Sequence, residues 1–449
     1  MEGFDLASLK PLIQAEEWLL RGGGIRAGDR VGWIGLNHPG MLACLLACER
    51  IGAVLVPLNW RLAAEELQWI AQDAGIALLR EGPPSGAVTP HAMPDAEACP
   101  ALLIGYTSGT TGRPKGAMLG RAALHANAEN ARRIFEITPA DHVLTVLPLF
   151  HVGGLNIQTM PALLAGARVT LLPKFDPDGF FDAAARLRPT LTLLVPAVMA
   201  ALIRHPRWAT ADLSSLRAIG AGSSEVPLSL IEAFHARGIP VQQVYGMTET
   251  SPIAIAQTRD EALLAPGSIG RAAPLSGARI ALPDGSEAPP GMAGEIQIRG
   301  ANVMTGYWHQ PEATAEALHE GWFRTGDVGH QDAEGRFWFT DRLKRVIISG
   351  GENIYPAELE RVLAGVPGLR EFAIIGRPDP RWGEVPVAVI VADADFNEAV
   401  IAAHFEAKLA RFKHPRAVLR LPALPRTALG KVQVEKLRAL TQAGQSIIR

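Results

Sequence analysis

Along the first half of the chain, hydrophobic positions switch repeatedly between two periods. Residues 9–21 carry apolar side chains at helical spacing, 30–36 form a short apolar run, 41–51 return to helical spacing and 52–57 are extended. Residues 65–74 are helical again and 76–79 extended. Helix-length patterns alternating with short buried strands predict βα units around a mostly parallel sheet. Apolar runs at 143–148, 169–173, 190–195 and 216–220 continue the series as buried strands. Residues 81–100, rich in Pro, Gly and Ala, read as a loop leading to the apolar run 101–104. No internal repeat or low-complexity tract interrupts the pattern. Beyond Asp341-Arg342-Leu343-Lys344 it changes to a helix at 356–363, strands at 371–376 and 385–391, and a helix at 398–409. That is a compact α+β unit of roughly one hundred residues. The expected fold class is therefore α/β, with a large N-terminal domain of mostly parallel sheets (residues 1–342) and a small α+β C-terminal domain (343–449).

Composition adds limits. The 449 residues are 48% hydrophobic and carry a net charge of −2, enough chain for an ample core. Near-neutrality gives no electrostatic case for nucleic acid or an anionic membrane, and no apolar run reaches membrane-spanning length. No basic-then-apolar leader opens the chain. Cys44, Cys48 and Cys99 form neither a CxxC pair nor a metal-ligand set, so a reducing, cytoplasmic setting is expected. Cys44 and Cys48 stand at helical spacing and read as small core residues.

The densest candidate chemistry is the loop Thr107-Ser108-Gly109-Thr110-Thr111-Gly112-Arg113-Pro114-Lys115-Gly116. Glycines let the backbone approach and aim N–H groups at oxygens, hydroxyls add donors and Lys115 adds charge, so the loop can wrap polyphosphate. It is not a Walker A loop, because the lysine is followed by Gly116 rather than by Ser or Thr. A mobile surface loop is the plainer alternative for such a stretch taken alone.

Four further segments follow in order: Tyr245-Gly246-Met247-Thr248-Glu249, Thr325-Gly326-Asp327, Asp341-Arg342-Leu343-Lys344 and Pro425-Arg426-Thr427-Ala428-Leu429-Gly430-Lys431. With the loop, they resemble the signature motifs of the adenylate-forming superfamily, which contains acyl- and aryl-CoA synthetases, peptide-synthetase adenylation domains and firefly luciferase. The resemblance runs from about Asp29 to Lys431. Members usually have additional residues before the segment matching Leu9. Arg345 stands where the family usually has an acid.

The resemblance implies ATP, magnesium and coenzyme A as ligands and a mobile C-terminal lid. Thr107, Ser108, Gly109, Thr110, Thr111, Gly112 and Lys115 would clamp the phosphates. Thr248 would hydrogen-bond the α-phosphate and Glu249 would bind magnesium. Tyr245 and Gly246 would lie at the adenine, with the backbone around Gly222 and Ser223 reading its edge. Asp327 and Arg342 would take the ribose, and Lys344 would be the hinge. Lys431 would reach from the lid to the α-phosphate and the substrate carboxylate, supplying charge where it develops. Ser349, Gly350 and Gly351 would line the pantetheine tunnel, while Trp382, Phe412 and Arg416 would hold the nucleotide end of CoA. In Pro148-Leu149-Phe150-His151-Val152-Gly153-Gly154, the residues His151, Val152 and Gly153 would border the acyl group with Met247. Singly, each has a plainer reading: a helix-terminal carboxylate for Glu249, a core histidine for His151, ordinary packing for Trp382 and Phe412.

The segments expected to complete the acyl pocket, 196–201, 221–224 and 246–253, contain no Lys or Arg. A second substrate carboxylate would be costly to bury there, which disfavours malonate and succinylbenzoate. An apolar monocarboxylate fits, either aromatic of the benzoate or cinnamate kind or a medium-chain fatty acid. The expected activity is an AMP-forming acid–thiol ligase making acyl-CoA, with small-molecule partners and room for a homodimer. Two alternatives stand: a stand-alone adenylating enzyme that loads a carrier protein, and a nucleotide-binding homologue without activity.

Overall fold

In the computed structural model, residues 3–82, 88–90, 99–107, 114–349, 352–393, 396–406, 408–409, 411–426 and 432–442 are described. Four sheets organise them. The first runs in the order Gly306–Tyr307, Lys115–Leu119, Leu103–Thr107, Val54–Leu58, Arg30–Ile34, Ile76–Glu81, Val88–Pro90. Its centre is parallel, with Arg30–Ile34 paired to both Val54–Leu58 and Ile76–Glu81. The second runs Arg271–Ala272, Ile255–Ala256, Val241–Tyr245, Ala218–Gly222, Leu191–Leu194, His142–Thr145, Arg168–Leu171, parallel from Val241–Tyr245 onward. Helices cover these strands because parallel sheets are buried on both faces and their strands are almost wholly apolar. The Pro39–Ile51 helix buries both Cys44 and Cys48, and the described cysteines form no disulfide.

Two features depart from the expected pattern. Within 81–100, Val88–Pro90 pairs antiparallel with Ile76–Glu81, so that stretch is not wholly loop. A third, antiparallel sheet occupies the region before the expected boundary, built from Ser276–Ala281, Gly294–Gly300, Trp322–Gln331 and Leu318–His319, with Phe337–Arg342 paired to Trp322–Gln331. Its half-exposed strands carry arginines among apolar positions, which hides their alternation.

The fourth sheet combines Glu352–Ile354, Ile347–Ser349, Gly383–Ala392 and Leu369–Asp379, with Ala417–Arg420 beside Gly383–Ala392. Helices Pro356–Leu363 and Ala399–Glu406 pack on it. Its core residues, among them Ile347, Leu359, Ile390 and Phe405, cluster apart from the large core of the preceding sheets. Arg361 meets Glu225 at 3.4 Å, an ion pair between the C-terminal unit and the loop after Ala218–Gly222. No helix among the described residues is long and apolar enough to cross a membrane.

Candidate functional site

The candidate site gathers where the first two sheets end their parallel strands, the side on which open α/β sheets place ligands. Thr107 closes one strand and Lys115 opens the next, and the two are register partners, so the expected phosphate loop joins two antiparallel strands. Ser108, Gly109, Thr110, Thr111 and Gly112 lie outside the described residues. Lys115 Nζ stands over the Tyr307 ring, 5.1 Å from its centroid.

The Tyr245–Glu249 segment leaves the second sheet by a sharp turn. Gly246 has φ +156° and no room for a side chain, since a Cβ would fall 1.7 Å from the Pro252 carbonyl oxygen. The following 3₁₀ turn, Thr248–Thr250, presents Thr248 towards Gly105, where a Cβ would fall 2.6 Å from Thr248 Cγ2. Gly105 therefore lets the first sheet approach the motif. Glu249 is buried, and the Tyr307 hydroxyl donates to its Oε1 at 2.8 Å. Tyr307 reaches it because Gly306–Tyr307 pairs with Lys115–Leu119. Among the described residues, the hydrogen bond from Tyr307 falls on Oε1 of Glu249 rather than Oε2.

Three expected nucleotide residues form one cluster. The Tyr245 hydroxyl donates to Asp327 Oδ2 at 2.8 Å, and Arg342 Nε lies 2.7 Å from Asp327 Oδ1. The Arg342 contact is an ion pair without hydrogen-bond alignment, so Oδ1 retains acceptor capacity. Asp327 and Arg342 are register partners across two strands, which explains how residues so spaced meet. Thr325 shapes the approach, its hydroxyl donating to the Ile296 carbonyl at 2.6 Å and accepting from the Asp327 N–H at 3.1 Å. Burial pushes Asp327 above the ordinary carboxylate range against the pull of Arg342, and burial beside Asp327 pushes the Tyr245 hydroxyl well up. After the buried strand ending in Gly222, Ser223 takes φ +68°, an uncommon conformation for a residue with a side chain and one that recurs at binding sites.

His151 caps a continuous helical stretch made of Val152–Gly154, Leu155–Thr159 in π geometry and Met160–Leu164. Its ring stands 4.5 Å from that of Phe150. Val152 Cγ1 lies 3.7 Å from the Cβ position of Gly105, while Gly153 faces Ser223 Oγ at 3.4 Å and Ile157 Cδ1 at 3.9 Å from its own. Met247 packs against the large core. Val152 thus stands beside Gly105, as Thr248 does, and Gly153 beside Ser223.

Lys344 sits in the 3₁₀ turn Leu343–Arg345 that joins the two units. Its unusual neighbour Arg345 pairs with Glu360 at 2.5 Å and lies 3.8 Å from Asp341, so the basic residue has local acidic partners. Ser349 pairs in register with Gly383, next to Trp382, and Arg381 stacks 5.0 Å from the Trp382 centroid. Arg416 is exposed, its N–H bonded to the Pro386 carbonyl at 2.8 Å. Gly350, Gly351 and Lys431 lie outside the described residues, as does the side chain of Phe412. Tyr307 is the contributor that sequence reasoning did not single out; its role depends on strand pairing and left no spacing signal.

The chain also matches known proteins. The AMP-binding enzyme family model matches residues 17–308, and the AMP-binding enzyme C-terminal domain matches 358–431. Over 97% of its length the chain is 46% identical to an indoleacetate–CoA ligase of Aromatoleum aromaticum, covering 92% of that protein. It is 42% identical, over 93% of itself and 90% of the relative, to a feruloyl-CoA synthase of an Amycolatopsis species. Among solved structures, ATP-bound MatB from Rhodopseudomonas palustris aligns with a TM-score of 0.87 at 31% identity, covering 97% of this chain and 93% of that one.

Proposed function

The chain belongs to the AMP-binding enzyme family, and from that premise we propose that it is an ATP-dependent carboxylate–CoA ligase that works through an acyl-AMP intermediate on an apolar, aromatic monocarboxylic acid. The observation that carries this reading is the convergence of Tyr245, Asp327 and Arg342 beside Thr248 and buried Glu249.

In the first half-reaction a substrate carboxylate oxygen attacks the α-phosphorus of ATP, and pyrophosphate leaves. Asp327 and Arg342 would hold the ribose and Thr248 the α-phosphate, fixing the phosphorus in line with the incoming oxygen. Glu249, with Oε1 held by Tyr307, would offer Oε2 to magnesium, which when bound neutralises phosphate charge. Lys115 and the loop before it would receive the departing pyrophosphate. Lys431 would stabilise the charge that builds on the α-phosphate. In the second half-reaction the thiol of CoA attacks the acyl carbon and AMP departs with the bonding electrons. The turn at Lys344 would allow the C-terminal unit to exchange Lys431 for the Ser349 hairpin between the two steps. Aromatic acids are preferred because the two relatives above are named for indoleacetate and feruloyl-CoA.

The test is a panel of aromatic and fatty acids assayed for pyrophosphate release and for CoA-dependent AMP release. Aromatic acids should give both. Pyrophosphate release without CoA-dependent AMP release would sink the CoA reading in favour of carrier-protein loading, and neither product with any acid would indicate a homologue without activity.

A further inference from the structure

Neither polar atom of the Gln158 side-chain amide has a hydrogen-bond partner among the described residues, although the residue is only 1% exposed. Unpaired buried amides are costly, and native chains seldom carry one without a reason. Gln158 lies in the π-helical stretch Leu155–Thr159, a geometry that recurs at functional sites.

Its position relative to the acyl-pocket candidates is defined by two glycines. Gly153 of the helical stretch faces Ile157 and Ser223. One residue further along the helical stretch is Gln158, and further back along the strand that precedes Ser223 is Gly220. A Cβ on Gly220 would stand 3.2 Å from Gln158 Nε2, 3.1 Å from Phe135 Cζ and 3.0 Å from Leu193 Cδ1. The amide thus faces the second sheet where Gly220 contributes no side chain, between an aromatic and an aliphatic wall. Gln242, the register partner of Gly220, shares that face, and its Oε1 is also unpaired although its Nε2 is bonded to the Ile134 and Gln257 carbonyls.

We propose that Gln158 determines acid specificity: its amide hydrogen-bonds a ring N–H or a phenolic O–H at the end of an aromatic monocarboxylate remote from the carboxylate. The assignment rests on the reading of this chain as a carboxylate-activating enzyme whose acid lies between the 152–164 helical stretch and the Ala218–Gly222 strand. A saturated fatty chain would leave the amide unpaired. A second carboxylate would find no cation among Phe135, Leu193, Gln158 and Gln242. An uncharged aromatic ring with one N–H or O–H donor suits the apolar walls and pairs the amide oxygen, and a phenolic oxygen can accept from the amide N–H as well.

ATP–pyrophosphate exchange reports on the acid without requiring CoA. The paired probes are indole-3-acetate against naphthalene-1-acetate, and 4-hydroxycinnamate against cinnamate. The native chain should favour the hydrogen-bonding member of a pair by about tenfold to a hundredfold in kcat/KM, the range for leaving a buried partner unmet. Gln158→Met, similar in shape and without the amide, should collapse that ratio through loss on the hydrogen-bonding member, with its unfolding temperature unchanged or raised. Absence of any preference in the native chain overturns the proposal without recourse to a variant. An unchanged ratio in folded Gln158→Met overturns it too, and if the unfolding temperature also falls, the amide instead holds a structural water with Gln242. Should no acid support exchange, the carboxylate-activating reading fails and the proposal with it, an outcome distinct from exchange without discrimination.

Discussion

Replacing Asp327 with asparagine keeps the shape of the side chain and removes its charge. The carboxylate is 2% exposed, accepts from the Tyr245 hydroxyl at 2.8 Å and lies 2.7 Å from Arg342 Nε. The Arg342 side chain is 56% exposed, so its attraction is screened by water and returns little. Burial therefore dominates, and the folded-state pKa of Asp327 lies above the unfolded value. Between those two values the native state binds more protons than the unfolded one. Stability consequently falls as pH rises through that window and stays at the lower level above it. Asparagine carries no such cost. Asp327→Asn should unfold at the same or a higher temperature than the native chain near neutral pH, and the gap should close in acidic buffer, where the native carboxyl is already neutral. Function should move the other way. A hydrogen bond to a charged acceptor contributes about 1.5–3 kcal/mol against about 0.5–1.5 kcal/mol for a neutral one, so losing the charge should raise the KM for ATP about tenfold for one ribose hydroxyl and about a hundredfold for two. Thermal unfolding across pH, together with pyrophosphate release at varied ATP, measures both. An unchanged KM for ATP would remove Asp327 from the nucleotide site. A clear fall in unfolding temperature near neutral pH would show that the carboxylate ties Tyr245 and Arg342 together structurally, and the burial argument would be wrong.

Three more outcomes test the remaining machinery. Glu249→Gln should raise the magnesium requirement and slow adenylation, because an amide oxygen can still accept from Tyr307 but is a poor ligand for a hard cation; unchanged magnesium dependence would leave Glu249 as a structural partner of Tyr307. Lys431→Ala should slow acyl-AMP formation by about 10²–10³ while sparing thioester formation from supplied acyl-AMP, and equal damage to both half-reactions would refute its assignment to the first. Gly351→Leu should do the reverse, letting acyl-AMP accumulate while the KM for CoA rises; normal CoA turnover in a variant of unaltered unfolding temperature would show that the Ser349 hairpin is not the thiol gate.

How much of this was legible beforehand depends on the range over which residues act. The helix Pro356–Leu363 was readable at its bounds because proline opens it and its apolar residues fall at helical spacing. Strands such as Val54–Leu58 and Leu191–Leu194 are buried throughout and show as apolar runs. The third sheet was not readable in this way. Arg279 and Arg299 stand 4.4 and 4.7 Å from the Trp322 ring, so cations occupy positions that a period-two pattern would leave to one face, and the stacking that stabilises them exists only after the strands pair. The same division holds in the site. Thr248, Glu249, Asp327 and Arg342 stand in short motifs whose order carried the family resemblance. Tyr307 meets Glu249 across 58 residues by way of strand pairing. Gln158 is less visible still, because an amide within an apolar run is equally compatible with a fully bonded core residue. What sets it apart is that neither of its polar atoms is paired, and pairing is decided by Gly220, Phe135 and Leu193 from three other elements. Motif order therefore conveys the adenylation chemistry common to the family, whereas a polar group that packing leaves unmet, such as the Gln158 amide, is decided across elements and leaves no spacing signal.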